Sequence, residues 1–397
     1  MRSLVLPCLF LIACSSESAR TPATVRDSAG VAIVDLGRLD YATLPTWVLE
    51  GEPGVRIGVV AGDPVRQWSR LDGAGRLSDG TLLGLDKTSR QVRAFSAEGT
   101  HLWTAGGDGE GPGEFRFPWA LTVLPGDSIL VSDPGTGRIT VFGPGGAFVR
   151  TSSLLALDGQ LLTWGLLGPT EVLYEVRSFR RTEADPRIVE DFSRLGGVDL
   201  DGTRTQEFGT FLLEIEYPEG NDADAANSPA IFDDVAHFAP WDGAVWFTAN
   251  EAYQIERYGA GQVLERIVRW SGPDRTVRPE DVQSVSDVYL EGASDERTRQ
   301  YVQDYLRYHP VAPAFAPFSR MRVDPGGRIW LQDYLRDDLP DADAAWLILG
   351  PDGAEVVGRV RHPRRFTPLA LGPDWVLGVT RDELDVEYLD LYALPVR

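Results

Sequence analysis

Residues 106–149 read GGDGEGPGEFRFPWALTVLPGDSILVSDPGTGRITVFGPGGAFV. A glycine-rich loop leads into an apolar strand that ends at Asp133. A turn then leads to a second alternating strand, Arg138–Phe142, and a further glycine turn. The same succession recurs along the chain, which is typical of β-sheets repeated around an axis. The stretch therefore predicts an all-β fold of the β-propeller type, in which it forms one blade with its preceding loop.

Four stretches superimpose without a gap on a glycine turn and an apolar triplet. They are Arg76–Asp86, Val123–Asp133, Pro240–Asn250 and Val323–Asp333. Three of them end in Asp and one ends in Asn, and each continues into a second pair of predicted strands. Two weaker units, at residues 171–202 and 375–392, complete the set. The repeats therefore predict a six-bladed propeller with four strands in each blade.

Two early strand patterns, Gly30–Asp35 and Trp47–Leu49, precede the first full unit. An open sheet edge would leave a row of unpaired backbone groups, so a closed ring is favoured. We therefore expect at least one of these strands to pair with the C-terminal blade.

The net charge of the chain limits the kinds of partner that it can bind. The chain has 397 residues, 59 of them acidic and 38 Lys or Arg, for a net charge of −21, and Lys87 is its only lysine. Such a surface repels phosphate backbones. The composition therefore predicts that the protein does not bind nucleic acid.

Both cysteines, Cys8 and Cys14, lie near the N-terminus. Arg2 supplies a positive charge, and Leu4–Ile12 is an apolar stretch too short to span a bilayer. Residues Leu11–Cys14 resemble the lipobox of bacterial lipoprotein signal peptides. An uncleaved anchor or an ordinary secretion signal is the alternative interpretation.

That resemblance implies cleavage before Cys14. It gives a signal peptide at residues 1–13, a lipidated tether at 14–24 and the propeller at 25–397. Acyl chains such as palmitate on Cys14 would anchor the protein in the cell envelope. Where the organism has an outer membrane, Ser15 after the cysteine favours that membrane, with the propeller facing the periplasm or the cell surface.

Three segments interrupt the repeats. Residues 178–194 and 214–234 are charged or acidic and are predicted to be long exposed loops. Residues 278–309, between blades 4 and 5, show helical spacing, with Pro279 suited to a first helical position. A helix pair packed on one face of the ring is one interpretation of this insertion, and a mobile lid over the channel is the other.

The loop Gly111–Phe115, with Pro118, Asp133, Arg138 and Phe142 after it, resembles the NHL-type repeat of six-bladed propellers. Together with the lipobox, the stretches Pro317–Phe318, Arg328–Asp333 and Asp382–Val386 are similar to bacterial six-bladed propeller lipoproteins. The resemblance implies the fold and export. It implies no particular activity, since propellers of this type serve as lyases, lactonases, receptors and scaffolds.

In propellers the innermost strand of each blade lines a central channel, and the loop before it forms a binding face. By repeat register, four candidate ligand-binding residues lie at this channel mouth: Arg116, Trp119, His237 and Arg320. Each has a structural alternative: packing between blades for Trp119, a carboxylate pair or solvent for the arginines, and a hydrogen bond for His237. The predicted function is a non-catalytic binding or scaffold module for an envelope protein, a peptide or a glycan, without a cofactor.

The alternative function is a metal-assisted lactonase or lyase with its site at the channel mouth. The chain has four histidines, His101, His237, His309 and His362, and no two of them have helical i, i+4 spacing. They therefore indicate no zinc site. The abundant carboxylates suit calcium or another divalent cation, which would be the cofactor of this alternative.

Overall fold

The computed structural model of the chain describes residues 23–154, 161–219, 226–336, 338–339 and 342–394. The predicted signal peptide and Cys14 lie outside these ranges, so lipid attachment stays a prediction. Among the described helices, none combines the length and apolar character needed to cross a membrane.

Strands dominate the described residues, and two α-helices interrupt them. In chain order the elements are β1 (Thr24–Ser28), β2 (Val31–Arg38), β3 (Thr46–Val48), β4 (Val55–Ile57), β5 (Leu71–Arg76), β6 (Leu82–Asp86), β7 (Gln91–Phe95), β8 (His101–Gly106), β9 (Ala120–Val123), β10 (Ile129–Asp133), β11 (Arg138–Phe142), β12 (Phe148–Ser153), β13 (Leu161–Gly168), β14 (Glu171–Arg181), β15 (Val189–Asp199), β16 (Arg204–Pro218), β17 (Asn227–Pro229), β18 (His237–Trp241), β19 (Ala244–Thr248), β20 (Gln254–Gly259), β21 (Val263–Ser271), α1 (Pro279–Gly292), α2 (Glu296–Tyr308), β22 (Phe318–Val323), β23 (Ile329–Asp333), β24 (Ala344–Leu349), β25 (Val356–His362), β26 (Phe366–Leu371), β27 (Trp375–Arg381) and β28 (Glu387–Ala393).

These strands form six sheets in the described chain. Their strand orders, for sheets 1 to 6, are β5-β6-β7-β8, β9-β10-β11-β12, β13-β14-β15-β16-β17, β18-β19-β20-β21-β2-β1, β22-β23-β24-β25-β3 and β26-β27-β28-β4. Within every sheet the consecutive strands from the first one onward pair as antiparallel hairpins, as short strands separated by glycine turns predict.

The first strands of the six sheets follow one another in a closed cycle. Strand β5 contacts β9, and the contacts continue through β13 and β18 to β22. Between sheets 5 and 6, Arg322 Nη1 on β22 donates to Leu369 O on β26 at 2.7 Å. Strand β26 in turn contacts β5. This cycle is the arrangement of a β-propeller, and we call these six first strands the innermost strands.

The core is divided among the spaces between consecutive sheets. Six apolar clusters of buried residues each join two neighbouring sheets of the described chain. In one of them Leu377 and Leu389 of sheet 6 pack with Leu71 and Leu82 of sheet 1. The last sheet therefore packs against the first through the same kind of apolar contact that joins the others.

The N-terminal segment completes the outer edges of three sheets in turn. Strand β2 pairs in parallel with β21 of sheet 4, and β3 pairs in parallel with β25 of sheet 5. Strand β4 then pairs antiparallel with β28 of sheet 6, with Ile57 opposite Leu389. The pairing expected of Gly30–Asp35 or Trp47–Leu49 with the C-terminal sheet is therefore wrong. The next strand along the chain makes it, because the segment passes sheets 4 and 5 on its way to sheet 6.

The Asp or Asn that ends each of the four aligned stretches lies where the chain enters an innermost strand. Asp133 is buried and accepts from the backbone N–H groups of Arg116 (2.7 Å), Phe117 (2.9 Å) and Gly135 (3.0 Å). At the matching position in sheet 4, Asn250 Oδ1 accepts from Phe318 N at 3.2 Å. These side chains satisfy backbone donors that would otherwise be unpaired beside the channel.

Two further segments lie on the side of the ring where the innermost strands begin. Residues 178–194 form most of an extended β14–β15 hairpin, so the prediction of a loop there is wrong.

The two helices follow β21. At the start of α1, Asp281 accepts from Arg278 N at 2.9 Å, and at the start of α2, Asp295 accepts from Thr298 N at 2.7 Å. Val285 of α1 packs with Ile231 and Phe232 of the loop before β18.

Candidate functional site

The innermost strands carry an unusual balance of charge for this acidic chain. Along the six of them there is one acidic residue, Asp72, against three arginines, Arg76, Arg320 and Arg322, and one histidine, His237. The chain as a whole has 59 acidic and 38 basic residues. The wall of the channel is therefore much less acidic than the rest of the protein.

Four aromatic side chains run across sheets 2, 3 and 4 near the start of their innermost strands. Phe117 stacks on Trp119 with ring centroids 6.5 Å apart, and Trp119 contacts Trp164 edge-to-face at 6.3 Å. Trp164 then contacts Phe238 edge-to-face at 5.4 Å. We call these four residues the aromatic row. Trp164 leaves 43% of its surface exposed, so the row presents apolar ring surface to solvent.

The row is fixed at two points by polar neighbours. The ammonium group of Lys87 lies 4.3 Å from the ring centroid of Trp119 and 3.1 Å from Asp72 Oδ2. The indole N–H of Trp164 donates to Glu175 Oε2 at 2.7 Å. Burial raises the pKa of Glu175, and Ser193 Oγ also donates to this carboxyl group. These contacts therefore fix the positions of the Trp119 and Trp164 rings.

The predicted residues Arg116 and Trp119 have different surroundings. Trp119 belongs to the aromatic row. The guanidinium group of Arg116 lies 3.4 Å from Asp108 and 3.3 Å from Glu110, in the loop before β9. The surface ion pair that sequence analysis gave as its alternative is therefore present, and Arg116 is the weakest of the four candidates.

His237 and Arg320 lie close to each other on neighbouring innermost strands. The ring N–H at Nε2 of His237 donates to Phe318 O at 3.3 Å. Burial, with a smaller contribution from the charge of Arg320, lowers the pKa of His237 to about 4. His237 is therefore neutral at physiological pH and has a hydrogen-bonded partner.

Arg320 and Arg322 alternate with Met321 on β22, so both point to the same side of that strand. Among the described residues, only Leu369 O accepts a hydrogen bond from Arg322, and no carboxylate forms an ion pair with either arginine. Burial lowers the pKa of Arg322 to about 10, with Arg320 adding to the effect. We call these two residues the arginine pair.

A buried carboxyl group adjoins the same region. Burial, with smaller contributions from the charges of Asp233 and Glu214, raises the pKa of Asp234 to about 7, although Arg320 acts in the opposite direction. Its Oδ1 accepts from Val235 N at 2.8 Å. Asp234 is therefore a carboxyl group with a pKa near neutrality, three residues before β18 begins.

The alternative function requires a metal site, and the described residues contain one group of three carboxylates that could hold an ion, Asp191, Glu214 and Glu216. Arg177 lies among them, with Nη2 2.7 Å from Asp191 and 3.2 Å from Glu214. These residues belong to the outer strands of sheet 3. Because a guanidinium group already pairs with two of the three carboxylates, the donor set fits an ion-pair network better than a catalytic calcium site.

Sequence analysis missed three residues of this region, Trp164, Phe238 and Arg322. Trp164 was missed because the repeat alignment of the third unit began at residue 171, one strand too late. Phe238 directly follows the predicted His237, and Arg322 follows the predicted Arg320 by the two-residue period of a strand. That period was the signal that could have found Arg322.

Comparisons with known proteins give no assignment. No protein-family model and no curated protein matches the chain. Among solved structures, a presumed exported protein from Bacteroides fragilis is 11% identical, with 91% of this chain and 99% of that chain covered and a TM-score of 0.47. A member of the DUF4221 family from Bacteroides vulgatus is 9% identical, with 85% and 96% covered and a TM-score of 0.47. A gluconolactonase from Xanthomonas campestris is 11% identical, with 82% and 87% covered and a TM-score of 0.40. At this level of similarity, the activities of those proteins do not carry over to this chain.

Proposed function

We propose that the protein is a lipid-anchored β-propeller of the cell envelope that binds a glycan, a peptide or a protein partner at its channel mouth and catalyses no reaction. The observation that supports this most is the aromatic row, with its exposed Trp164 and fixed Trp119. Exposed aromatic surface held by polar neighbours is typical of binding sites, because little entropy is lost when the ligand contacts it.

The proposed fold is a six-bladed propeller with a helical insertion. Each of the six sheets would be one blade, and helices α1 and α2 would be an insertion between blades 4 and 5. The closed cycle of innermost strands and the six apolar clusters between sheets support this count. A rigid ring of this kind would present the aromatic row without a large conformational change.

The anchor is proposed from the sequence of residues 11–14. Acyl chains on Cys14 would hold the propeller at a membrane surface, with residues 15–24 as the tether. Replacing Cys14 with Ser tests this directly. We expect the variant to move from the membrane fraction to the soluble envelope fraction. Unchanged membrane fractionation would contradict lipidation.

The binding function is tested on arrays of oligosaccharides and peptides probed with the purified protein. A matched pair of variants separates the mouth from the rest of the surface. Trp164 and Phe148 are each 43% exposed, but Phe148 lies on β12, the outermost strand of sheet 2. We expect Trp164→Ala to lose the signal of the ligands that bind the wild type and Phe148→Ala to keep it. Equal signals from the two variants would contradict binding at the mouth.

The second candidate is the metal-assisted lactonase or lyase with its site at the channel mouth; the one group of three carboxylates that could hold its cation among the described residues, Asp191, Glu214 and Glu216, lies instead on the outer strands of sheet 3. A panel of lactones incubated with the purified protein and calcium tests it. Turnover that is abolished by the chelator EDTA and by Glu214→Gln would support this candidate over the binding module. The proposed function predicts no turnover in either condition.

A further inference from the structure

Among the described residues, no carboxylate forms an ion pair with either member of the arginine pair, although Asp234 lies near enough to Arg320 for the guanidinium charge to lower its pKa. Among the described residues, the one acidic side chain on the innermost strands is Asp72. Its carboxylate lies 2.9 Å from Arg70 and 3.1 Å from Lys87, so two cations already share it. Asp72 is therefore not available to neutralise another guanidinium group.

The third arginine of the innermost strands is directed elsewhere. The guanidinium carbon of Arg76 lies 5.6 Å from the ring centroid of Trp375, in sheet 6. Arg320 and Arg322 differ, because no aromatic ring of the described chain lies over either guanidinium group. They are two residues apart on one strand, which places their Cα atoms about 7 Å apart along the channel wall.

An unneutralised guanidinium group in a protein interior is costly. Arg322 donates from Nη1 to Leu369 O, which leaves most of its N–H groups without a protein acceptor among the described residues. It is partly accessible although protein surrounds it, as expected of a side chain that lines an internal channel. Water or an anion in the channel would satisfy the remaining donors, and an anion would also neutralise the charge.

We propose that the arginine pair binds the carboxylate group of an acidic sugar at the channel mouth. This inference rests on the proposed binding function and names its ligand class. A guanidinium group forms two parallel hydrogen bonds with a carboxylate. The apolar face of the sugar ring would contact the aromatic row. Its last member, Phe238, packs toward sheet 3, whereas the preceding residue, His237, contacts Phe318 at the start of β22, so the sugar would span β18 between the row and Arg320.

Isothermal titration of the purified protein tests the proposal with three probes at equal ionic strength: sodium glucuronate, glucose and inorganic phosphate. We expect glucuronate to bind at least about tenfold more tightly than glucose, because a charged hydrogen-bonded pair adds roughly this much. We also expect glucuronate to bind more tightly than phosphate, and added salt to weaken its binding. Absence of glucuronate binding, equal binding of glucose, or tighter binding of phosphate would overturn the assignment.

The variants Arg320→Gln and Arg322→Gln locate the site. Each should weaken glucuronate binding about tenfold or more, whereas Arg269→Gln, on the outer strand β21, should not change it. Arg320 is exposed, so its variant is expected to fold even where the Arg322 variant does not. Unchanged glucuronate affinity in Arg320→Gln would refute the proposal. If glucuronate does not bind but binding of the array ligands is still lost in Trp164→Ala, the acidic sugar is the wrong ligand class and the proposed binding function stands.

Discussion

Arg322 on β22 donates from Nη1 to Leu369 O on β26 at 2.7 Å, and this bond joins the innermost strands of sheets 5 and 6. The same side chain is half of the arginine pair at the channel. One residue therefore takes part both in closing the ring and in the proposed ligand site. The carbonyl oxygen accepts a hydrogen bond but carries no full charge, so the guanidinium charge remains available to an anion.

Asp133 holds the loop before β9, and its removal should destabilise the fold. Asp133→Ala leaves three backbone N–H groups without their acceptor, so we expect a loss of about 3 kcal/mol in the free energy of unfolding. Asp201→Ala is the control, because Asp201 is an exposed partner of Arg150 and should contribute at most about 1 kcal/mol. Urea denaturation measures both, and similar losses would contradict the role of Asp133.

The outer edge of sheet 6 depends on an ion pair between the N-terminal segment and the last strand. Arg56 on β4 makes two hydrogen bonds to the fully buried Asp390 on β28, at 2.9 and 2.8 Å. Arg56→Ala leaves that carboxylate without its cation, and we expect a loss of about 3 kcal/mol in the free energy of unfolding.

The control for Arg56 is Arg269→Ala, because Arg269 forms an exposed pair with Asp35 and should change the free energy of unfolding by less than about 1 kcal/mol. Denaturation in urea measures both variants under one condition. If Arg56→Ala behaves like Arg269→Ala, the pair does not contribute to closing sheet 6.

Asp234 makes stability depend on pH near neutrality. Burial raises its folded pKa to about 7, so the folded state holds this proton more tightly than the unfolded state. Its contribution is fully present below the unfolded pKa of about 4 and is lost as the pH rises through 7. Asp234→Asn should therefore be more stable than the wild type at pH 8, by roughly 1 to 3 kcal/mol, and should lose this advantage at pH 4. Thermal unfolding at both pH values measures the difference, and an advantage that is equal at the two would contradict the raised pKa.

Arg177 should determine whether the carboxylates of sheet 3 bind calcium. In the wild type it forms ion pairs with Asp191 and Glu214, so 1 mM calcium should shift the unfolding temperature by less than about 1 °C relative to EDTA. Arg177→Gln removes that cation, and calcium should then raise the unfolding temperature by several degrees. A large calcium effect on the wild type would instead favour the metal-assisted enzyme.

The local parts of the fold were accessible from the sequence. The four aligned stretches end at Asp86, Asp133, Asn250 and Asp333, which lie at or just after the ends of β6, β10, β19 and β23. Turn glycines and alternating apolar residues fix such hairpins locally. The pairings of β2, β3 and β4 were not accessible, because their partners are more than 200 residues away and the pairing depends on the path of the chain around the ring.

The candidate site was accessible only in part. Repeat register led to Trp119, His237 and Arg320, and the two-residue strand period extends the last of these to Arg322. The contact between Trp119 and Trp164 depends on how sheets 2 and 3 face each other, which no local pattern specifies. Likewise, only the folded chain shows that acidic neighbours surround Arg116 and that no carboxylate pairs with Arg322 among the described residues.

The proposed function requires that the aromatic row at the channel mouth binds the ligand. The most direct measurement is the dissociation constant of the strongest array ligand for Trp164→Ala and for Phe148→Ala, two variants that remove equally exposed rings. We expect an affinity at least about tenfold weaker for Trp164→Ala and wild-type affinity for Phe148→Ala. The reason is that one stacked ring contributes roughly 1 kcal/mol or more beyond its buried area. Equal dissociation constants for the two variants would contradict it.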